Sequence, residues 1–416
     1  MVGRRVLFRS LASLRGGRIE IVEGVRRFAF GHADADLCAE VEVHDQRAYG
    51  WTLRGSTGWG EGYVDRLWSC GDLVTLTRIA TRNLVALDRW NRRLNPLLVP
   101  LRRAAGLVPR NTRAGARRNI SSHYDLGNAL FEAFLDERMV YSCAYFPRSS
   151  ASLAEAQTAK LERICDRLEL GAEDHLLEIG AGWGGLAIFA ASNYGCRVTT
   201  TTISREQHAL ATERVRDAGL TDRVTVLLRD YRDLDGTYDK LASIEMIEAV
   251  GWQYFPTFFA RCSSLLRADG AMFLQAIVID DAAYESEKAA RSFANTHVFP
   301  GGCLPSQRLI GELVEERTDM SVAWLEDISD HYVATLRAWR EHFDDAWPQL
   351  RALGYDRRFA RLWNFYLATS EAGFRERRIR DLQLLIAKPG WRAAGPERPR
   401  SPTSITREPA PASPSS

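Results

Sequence analysis

Short apolar runs alternate with amphipathic stretches along the chain from about residue 119 to residue 390. The amphipathic stretches, such as 205–219 and 254–269, repeat their apolar positions with helical spacing. The apolar runs predict buried strands, and they read "DHLLEIGAG", "CRVTTTTIS", "RVTVLLRD", "YDKLASIEMIEAVG" and "GAMFLQAIVI". Regular alternation of strands and helices predicts an α/β fold with a doubly wound, mostly parallel sheet.

The first part of the chain has a different pattern. Between about residues 17 and 65, β-like runs are separated by Gly and Asp turns, and a helical pattern follows over 72–90. The runs read "RIEIVEG", "RRFAFG", "CAEVEVHD" and "AYGWTLRG". They predict a small N-terminal α+β domain.

Two further segments are irregular. The stretch from Arg89 to Arg118 holds nine arginines and three prolines but no Asp or Glu, which predicts a linker with a positively charged surface. After about Pro389 the chain is rich in Pro, Ser and Ala, which predicts disorder. We therefore divide the chain into an N-terminal domain, a linker, an α/β domain and a tail, at 1–88, 89–118, 119–390 and 391–416.

Composition is that of an ordinary globular protein, with 45% hydrophobic and 26% charged residues and a formal net charge of +2 over 416 residues. No apolar run approaches the ~18 residues of a membrane span, and the apolar stretch at the N-terminus is too short and interrupted for a secretory signal. We therefore expect a cytoplasmic protein. The seven cysteines are scattered without a C-x-x-C pair, so we expect neither a disulfide framework nor a metal site.

One short segment points to chemistry. "LLEIGAGWGGLAIFAA", from Leu176 to Ala191, is an apolar run that ends in an acid, turns on glycines and resumes as an Ala-rich helical pattern. Such a strand–loop–helix unit predicts a nucleotide-like cofactor, although a purely structural turn has the same pattern. A dinucleotide fold would place an acid at the end of the next strand, where this chain has Thr202 and Ser204. NAD is therefore disfavoured.

Several motifs extend this signal beyond the glycine loop. Glu178 stands where S-adenosylmethionine-dependent methyltransferases carry an acid, and Asp230 in "RDYRDL" is placed to reach an adenine amino group. With "HYDLGNALFEAFLDERMVYSCAYF", "TTISREQ", "IEAVG", "FPGGCLPS" and "HYVATLRAW", the chain resembles the cyclopropane-fatty-acyl-phospholipid synthases and mycolic acid cyclopropane synthases. The resemblance runs from "GSTGWGEGYVDRLW" to "FRERRIRDLQLLI". It implies a Rossmann-like class I methyltransferase domain that uses S-adenosylmethionine.

The resemblance also implies which residues surround the cofactor. They belong to the Tyr-Ser pair, the glycine loop, the T-x-S-x-x-Q segment and the stretch after the third strand. Residue by residue they are Tyr141, Ser142, Glu178, Gly180, Ala181, Gly182, Trp183, Gly184, Gly185, Thr202, Ile203, Ser204, Gln207, Asp230 and Tyr231.

The reaction that the resemblance implies is addition of a one-carbon unit to the cis double bond of a lipid acyl chain. Attack of the alkene on the sulfonium methyl group leaves a carbocation, and the family uses a bound bicarbonate ion to remove a proton from it. The positions that match the family's bicarbonate site are Cys143, Glu248, Ile277 and Tyr332, with Gln275 where many members have His. Proton loss from the new methyl group gives a cyclopropane, whereas a hydride shift before proton loss gives a methylene branch, and both products remain open.

Two smaller expectations concern the walls of the site. Ser370 stands where a Cys is frequent in the family, and no step requires a thiolate there. The aromatic residues near the Tyr-Ser pair are either ordinary core or the wall of an acyl tunnel, and we favour the tunnel; they are Tyr124, Phe131, Phe134, Tyr145 and Phe146.

The implied partners are unsaturated phospholipid acyl chains and an anionic membrane surface, which the arginine-rich linker with its interleaved Leu and Val would contact. The N-terminal domain would assist membrane binding or form a homodimer. No nucleic-acid motif is present in the sequence. Two alternatives remain: a lipid-binding protein that has lost the reaction, and a methyltransferase for small molecules or nucleic acid.

Overall fold

The computed structural model describes residues 2–51, 54–91, 112, 115, 127–288 and 290–393. Most of the predicted linker, Tyr124 and almost all of the predicted tail lie outside these residues. Within them, no helix combines the length and the apolar character that crossing a bilayer would need.

The N-terminal part has its own four-stranded sheet, in the order β2-β1-β3-β4. Strand β1 pairs antiparallel with β2 and parallel with β3, and it buries Ile19 and Ile21 against the core. The strands are β1 (Arg18–Glu23), β2 (Arg26–Gly31), β3 (Cys38–Val43) and β4 (Trp68–Cys70). The helices are α1 (Val2–Leu11), α2 (Ala48–Trp51), α3 (Gly55–Val64) and α4 (Leu73–Asn91). The α+β prediction is thus confirmed, while the proposed domain boundaries stay predictions.

One predicted strand of this part is wrong. The "AYGWTLRG" segment begins with helix α2 and leads into α3. Asp45 starts the turn, because its carbonyl accepts the Ala48 N–H and its carboxylate accepts the Arg47 N–H at 2.8 Å. Tyr49 is buried and its hydroxyl binds Glu23, so helical packing overrides the β-like residue pattern.

The larger sheet has seven strands in the order β10-β11-β9-β8-β5-β6-β7. Strands β5 to β9 run parallel, and all five were predicted, so the doubly wound α/β fold is confirmed. Strand β11 runs antiparallel to β9 and to β10, and neither β10 nor β11 was predicted. The strands are β5 (His175–Ile179), β6 (Arg197–Thr202), β7 (Val224–Leu228), β8 (Tyr238–Ile244), β9 (Leu266–Ile279), β10 (Ser321–Asp327) and β11 (Ile379–Ala387).

Helices cover both faces of this sheet. They include the two predicted at 205–219 and 254–269, which form α8 and α9; the second prediction runs too far, because residues 266–269 already belong to β9. The helices are α5 (Asn128–Phe134), α6 (Leu153–Arg167), α7 (Gly185–Tyr194), α8 (Arg205–Asp217), α9 (Phe255–Leu265), α10 (Asp281–Glu287), α11 (Phe293–His297), α12 (Gln307–Arg317), α13 (Ser329–Asp345), α14 (Trp347–Ala352) and α15 (Arg357–Arg375). Because β6 and β8 flank β5 on opposite sides, the strand order reverses at β5, where ligands of such sheets bind.

The N-terminal part packs on helix α15 of the larger domain. Arg78 and Arg82 of α4 donate to the two carboxylate oxygens of Glu376 at 2.7 and 2.8 Å. Thr77 Oγ1 donates to the Ala368 carbonyl at 3.2 Å. The N-terminal part therefore supports a helix that, as described below, also forms one wall of the site.

Candidate active site

A cavity of about 500 Å³ opens at the carboxyl ends of β5, β6, β8 and β9. This volume lies within the range of small-molecule sites. The glycine loop forms one part of its wall, and apolar and aromatic side chains of α13, of α15 and of the segment 139–141 after α5 form another. The cavity is continuous between these two parts of its wall.

The glycine loop bends sharply between β5 and α7. Gly180 has a φ of +106°, and a Cβ built there would lie 3.0 Å from Met246 Cγ. The Gly180 and Ala181 N–H groups both donate to the Thr201 carbonyl, at 3.0 and 2.9 Å, which ties the loop to the end of β6. Helix α7 then begins at Gly185, beside the cavity. The loop thus brings backbone close to the cavity, which only a glycine-rich turn can do.

Most of the residues predicted for the cofactor are brought together here. Two are not on the cavity wall: Ser204 caps helix α8 by accepting the Gln207 N–H at 3.2 Å, and Gly184 precedes α7. Thr202 Oγ1 donates to Gln207 Oε1 at 2.8 Å, so these two side chains orient each other. Those that line the cavity are Tyr141, Ser142, Glu178, Gly180, Ala181, Gly182, Trp183, Gly185, Thr202, Ile203, Gln207, Asp230 and Tyr231.

Asp230 is already paired within the protein. Its carboxylate binds the Arg232 guanidinium through two side-chain hydrogen bonds of 2.8 and 2.6 Å. It also accepts the Arg232 backbone N–H at 3.0 Å, which caps the short 3₁₀ turn Tyr231–Asp233. The adenine contact predicted for Asp230 therefore stays a prediction, made by a carboxylate that Arg232 holds in place.

Glu178 is buried at the end of β5 and lines the cavity. Its Oε2 atom accepts a hydrogen bond from Thr200 Oγ1 at 2.6 Å. Burial raises the pKa of Glu178 to about 8, and the Thr200 hydrogen bond and the charge of Lys160 oppose that rise. An acid in this state is poised to ionise when a cationic group enters the cavity.

This raised pKa makes a stability prediction for Glu178→Gln. Because the folded-state pKa lies above the unfolded value, the contribution of Glu178 is fully present below about pH 4.5 and is lost as the pH rises through about 8. Gln cannot ionise, so the variant does not lose this stability as the pH rises. We expect the variant and the wild type to melt at similar temperatures at pH 5 and the variant to melt about 2 to 4 °C higher at pH 8.5. Thermal melts of the ligand-free protein measure this, and a difference that does not grow with pH would contradict it.

The centre of the cavity holds two carboxyl groups from the segment after β8. Glu248 was predicted; its Oε1 atom accepts the Ile277 N–H at 2.5 Å, and its buried Oε2 atom has no hydrogen-bond partner among the described residues. Burial, and then the charge of Glu245, raise the pKa of Glu248 to about 8. The second carboxyl, Glu245, was not predicted.

Glu245 is the meeting point of three donors. Its Oε1 atom accepts the Cys143 N–H and the Gln275 amide N–H, both at 2.8 Å, and its Oε2 atom accepts the Tyr332 hydroxyl at 2.6 Å. Burial raises the pKa of Glu245, and the three hydrogen bonds and the charge of Lys160 oppose that rise. Burial, followed by the charge of Glu245, keeps the pKa of Tyr332 well above its usual value, so the phenol remains a donor.

Two more buried titratable side chains lie next to these carboxyl groups, and neither was predicted. Lys160 of α6 lines the cavity and donates to Ser142 Oγ at 2.6 Å. Asp381 of β11 accepts the Gln275 amide at 3.0 Å, and burial followed by the charge of Glu245 raises its pKa. Lys and Asp are rarely fully buried unless they are paired or functional. The available signal for Lys160 was a Lys within an amphipathic helix pattern.

The residues do not fit the bound bicarbonate that the resemblance implies. The Cys143 N–H and the Tyr332 hydroxyl both bind Glu245, and the Ile277 N–H binds Glu248. Cys143 and Gln275 also lie behind the cavity wall, and burial raises the pKa of the Cys143 thiol well above its usual value. The donors expected for the anion are thus engaged by the protein's own carboxylates.

The far end of the cavity is apolar. Tyr332 stacks on Phe374 with ring centroids 4.3 Å apart, and the Tyr141 and Tyr366 hydroxyls are 3.2 Å apart. Ser370 also lies on this wall. The aromatic residues for which we favoured a tunnel role do not line the cavity, because they pack elsewhere; they are Phe131, Phe134, Tyr145 and Phe146.

The glycine loop, the buried acid at the end of β5 and the Thr202–Gln207 pair fit S-adenosylmethionine. The cofactor carries positive charge, which can pair with the Glu178 carboxylate. A glycine turn has no side chains in the way, so the cofactor can approach the backbone closely. The described residues thus supply the kind of site that the resemblance implies for this cofactor.

Comparison with known proteins agrees with this geometry. The family model described as mycolic acid cyclopropane synthetase matches residues 111–384. Tuberculostearic acid methyltransferase UfaA1 of Mycobacterium tuberculosis is 40% identical over 335 residues, which cover 77% of this chain and 76% of that protein. The cyclopropane-fatty-acyl-phospholipid synthase of Escherichia coli is 37% identical over 337 residues, covering 80% and 84%.

Solved structures lead to the same family. Mycolic acid cyclopropane synthase CmaA1, complexed with SAH and CTAB, superposes with a TM-score of 0.61 at 29% identity, covering 65% of this chain and 98% of that chain. The cyclopropane synthase MmaA2 from Mycobacterium tuberculosis gives a TM-score of 0.61 at 27% identity, covering 68% and 99%. This chain therefore belongs to the mycolic acid cyclopropane synthetase family and is a class I, S-adenosylmethionine-dependent methyltransferase.

Proposed function

We propose that the protein transfers the methyl group of S-adenosylmethionine to the cis double bond of an unsaturated phospholipid acyl chain and forms a cyclopropane fatty acid. One observation carries this proposal: a single cavity is lined by the glycine loop, by apolar and aromatic side chains of α13 and α15, and by the carboxyl groups of Glu245 and Glu248. An alkene offers no polar group for recognition, so its binding site must be an apolar wall that leads to the methyl donor.

The residues at the junction match the needs of this chemistry. Bound S-adenosylmethionine supplies an electrophilic sulfonium methyl group. Tyr332 and Phe374 present aromatic faces, which hold an alkene by apolar contact and stabilise a neighbouring cation. The apolar wall also excludes water, which would otherwise convert the carbocation into an alcohol. Glu245 and Glu248 lie on the same lining, and positive charge that develops on the acyl chain would favour their ionised forms.

Acyl chains lie in the bilayer, so we propose that the protein docks on the inner face of the membrane. Helix α1 supports this: Val2 and Val6 are 72% and 46% exposed, and Arg5 and Arg9 are exposed on the same helix. Basic residues beside exposed apolar ones suit an anionic lipid surface. The arginine-rich linker would add to this contact. A homodimer remains a prediction, and no nucleic-acid partner is expected.

A methylene- or methyl-branched fatty acid is the second candidate product. Two observations favour it. One relative, at 40% identity, is named a tuberculostearic acid methyltransferase and not a cyclopropane synthase. In addition, Gln275 replaces the His of many members, and its amide is committed to Glu245 and Asp381. Both products require the same methyl transfer. A methylene branch needs a hydride shift before the proton is lost, and a saturated methyl branch needs a further two-electron reduction by a separate reductase.

The test is to incubate the purified protein with vesicles of cis-monounsaturated phospholipid and methyl-labelled S-adenosylmethionine, and to analyse the fatty acids by mass spectrometry with ozonolysis. We expect a labelled chain that resists ozone, which is the cyclopropane. A labelled chain that ozone cleaves is the methylene product. Anionic vesicles should be modified faster than zwitterionic ones, and added salt should remove that difference because it screens surface charge.

The same assay separates the alternatives of another class. Cofactor binding without any labelled lipid would support a lipid-binding protein that has lost the reaction. Label on a soluble acceptor, with vesicles ignored, would support a small-molecule or nucleic-acid methyltransferase. Either result would refute the proposed function.

A further inference from the structure

Glu245 stands where the family resemblance places a bound anion. Two of the groups implied for that anion, the Cys143 N–H and the Tyr332 hydroxyl, bind the Glu245 carboxylate at 2.8 and 2.6 Å. The third donor is the Gln275 amide at 2.8 Å, from the position where many members have His. A carboxylate and a bicarbonate both present a planar, negatively charged pair of oxygens. The side chain therefore satisfies the donors that would otherwise hold the ion.

We propose that the Glu245 carboxylate replaces bicarbonate as the base of the reaction, so that this enzyme works without the ion. The inference rests on the proposed methyl transfer to an alkene. The Glu245 carboxylate binds Tyr332, which stacks on Phe374 of the apolar wall, while the next residue, Met246, lies against Gly180 of the glycine loop. Glu245 therefore lies at the boundary between the cofactor end and the apolar end of the cavity. A base for the carbocation has to lie at that boundary.

The backbone and three hydrogen-bond donors hold Glu245 in a fixed position. Its φ is +49°, an uncommon conformation for a residue with a side chain, and its N–H donates to the Gln275 carbonyl at 2.8 Å. The charge of Lys160 favours the ionised carboxylate. Asp381 is buried beside this group, and burial followed by the charge of Glu245 raises its pKa. Three donors and the charge of Lys160 thus favour the ionised form of Glu245 and oppose the effect of its burial.

The proton balance of the step is simple. The alkene electron pair forms a bond to the methyl carbon, the carbon–sulfur bond breaks with its electrons on sulfur, and a carbocation remains on the acyl chain. Glu245 then takes a proton from carbon. The electron pair of that carbon–hydrogen bond closes the cyclopropane or, if a hydride first shifts from the methylated carbon to the cationic carbon, forms the double bond of a methylene branch. No oxidant, reductant or further ion takes part, and Glu245 ends protonated.

The decisive experiment compares three proteins in carbonate-free buffer and in buffer with added bicarbonate. The wild type should transfer label at the same rate in both. Glu245→Gly should lose about 100-fold or more in rate without bicarbonate, the size of a general-base contribution, and should regain activity when bicarbonate is added. Glycine accepts the positive φ without strain, so this variant should fold. Glu245→Gln fills the same space without a base and should stay inactive in both buffers.

A binding measurement provides a readout that does not depend on turnover. Carbon-13 NMR of labelled bicarbonate should show binding to Glu245→Gly and none to the wild type. A wild type that binds bicarbonate or depends on it, a Glu245→Gly variant that is fully active without bicarbonate, or one that bicarbonate does not rescue would each overturn the inference. If the wild type transfers no label to any lipid, the proposed function fails, and the NMR result still decides what occupies this position.

Discussion

Replacing Glu248 by Gln is expected to reduce turnover by about 100- to 1,000-fold while leaving the affinity for S-adenosylmethionine within about twofold. The buried Oε2 atom of Glu248 has no hydrogen-bond partner among the described residues, and the side chain lines the cavity. A carbocation nearby would favour its ionised form, and the attraction would be strongest in the transition state, where charge develops. Gln keeps the shape and the bond from Ile277 but carries no charge. Label-transfer kinetics and calorimetric titration of the cofactor measure the two effects.

The pH dependence gives an independent check on Glu248. Its pKa is raised to about 8, so the rate of the wild type should increase as the pH rises toward 8, and Glu248→Gln should lose that increase. Glu312→Gln, at an exposed ion pair on α12, is the matched control and should behave as the wild type. An unchanged rate in Glu248→Gln would remove this residue from the proposed site. A large loss of cofactor affinity would assign it to binding.

The fold was predictable where local pattern and packing agree. Strands β5 to β9 are short apolar runs next to turns, so their burial is visible in the sequence. Strand β11 (Ile379–Ala387) was missed because it directly follows the long helix α15 and carries the polar Asp381 and Gln383, both of which are buried. These two residues are tolerated because they hydrogen-bond across the sheet to Gln275. Such pairing depends on strand order, which the sequence pattern does not contain.

The candidate site shows a similar limit. The motifs located the cavity lining well, because a glycine turn and the segments around it have local signatures. Glu245 was missed because "YDKLASIEMIEAVG" was interpreted as one strand, whereas β8 ends at Ile244 and Glu245 has a positive φ. A second acid three residues before Glu248 was the available signal. The inference that Glu245 takes the place of the expected ion depends on hydrogen-bond donors from three distant segments. Only the folded chain brings these donors together.

Gly180→Ala is expected to weaken binding of S-adenosylmethionine by about 10- to 100-fold, with a corresponding loss of turnover at limiting cofactor. A φ of +106° costs a residue with a side chain about 1 to 3 kcal/mol. The free loop can relieve this strain by moving away from the conformation that meets the cofactor, so binding must restore it, and about 1.4 kcal/mol corresponds to tenfold in affinity. The new Cβ would also lie 3.0 Å from Met246 Cγ, which must then shift. Met246 lines the cavity next to Glu245, so the change reaches both the cofactor loop and the carboxyl cluster. Calorimetric titration and thermal melts measure affinity and stability separately.

Gly219→Ala is the control that separates the effect of the glycine loop on cofactor binding from the general cost of a side chain at a positive φ. Gly219 follows helix α8 with a φ of +69°, and a Cβ there would have nothing within 4 Å. This control should therefore lower the melting temperature while leaving the affinity for the cofactor unchanged. If both alanine variants lose stability but bind S-adenosylmethionine as the wild type does, the Gly180 turn is a structural bend and the cofactor does not depend on it. If only Gly180→Ala loses affinity, the positive φ at this position serves the close approach of backbone to ligand, because strain alone is common to both sites.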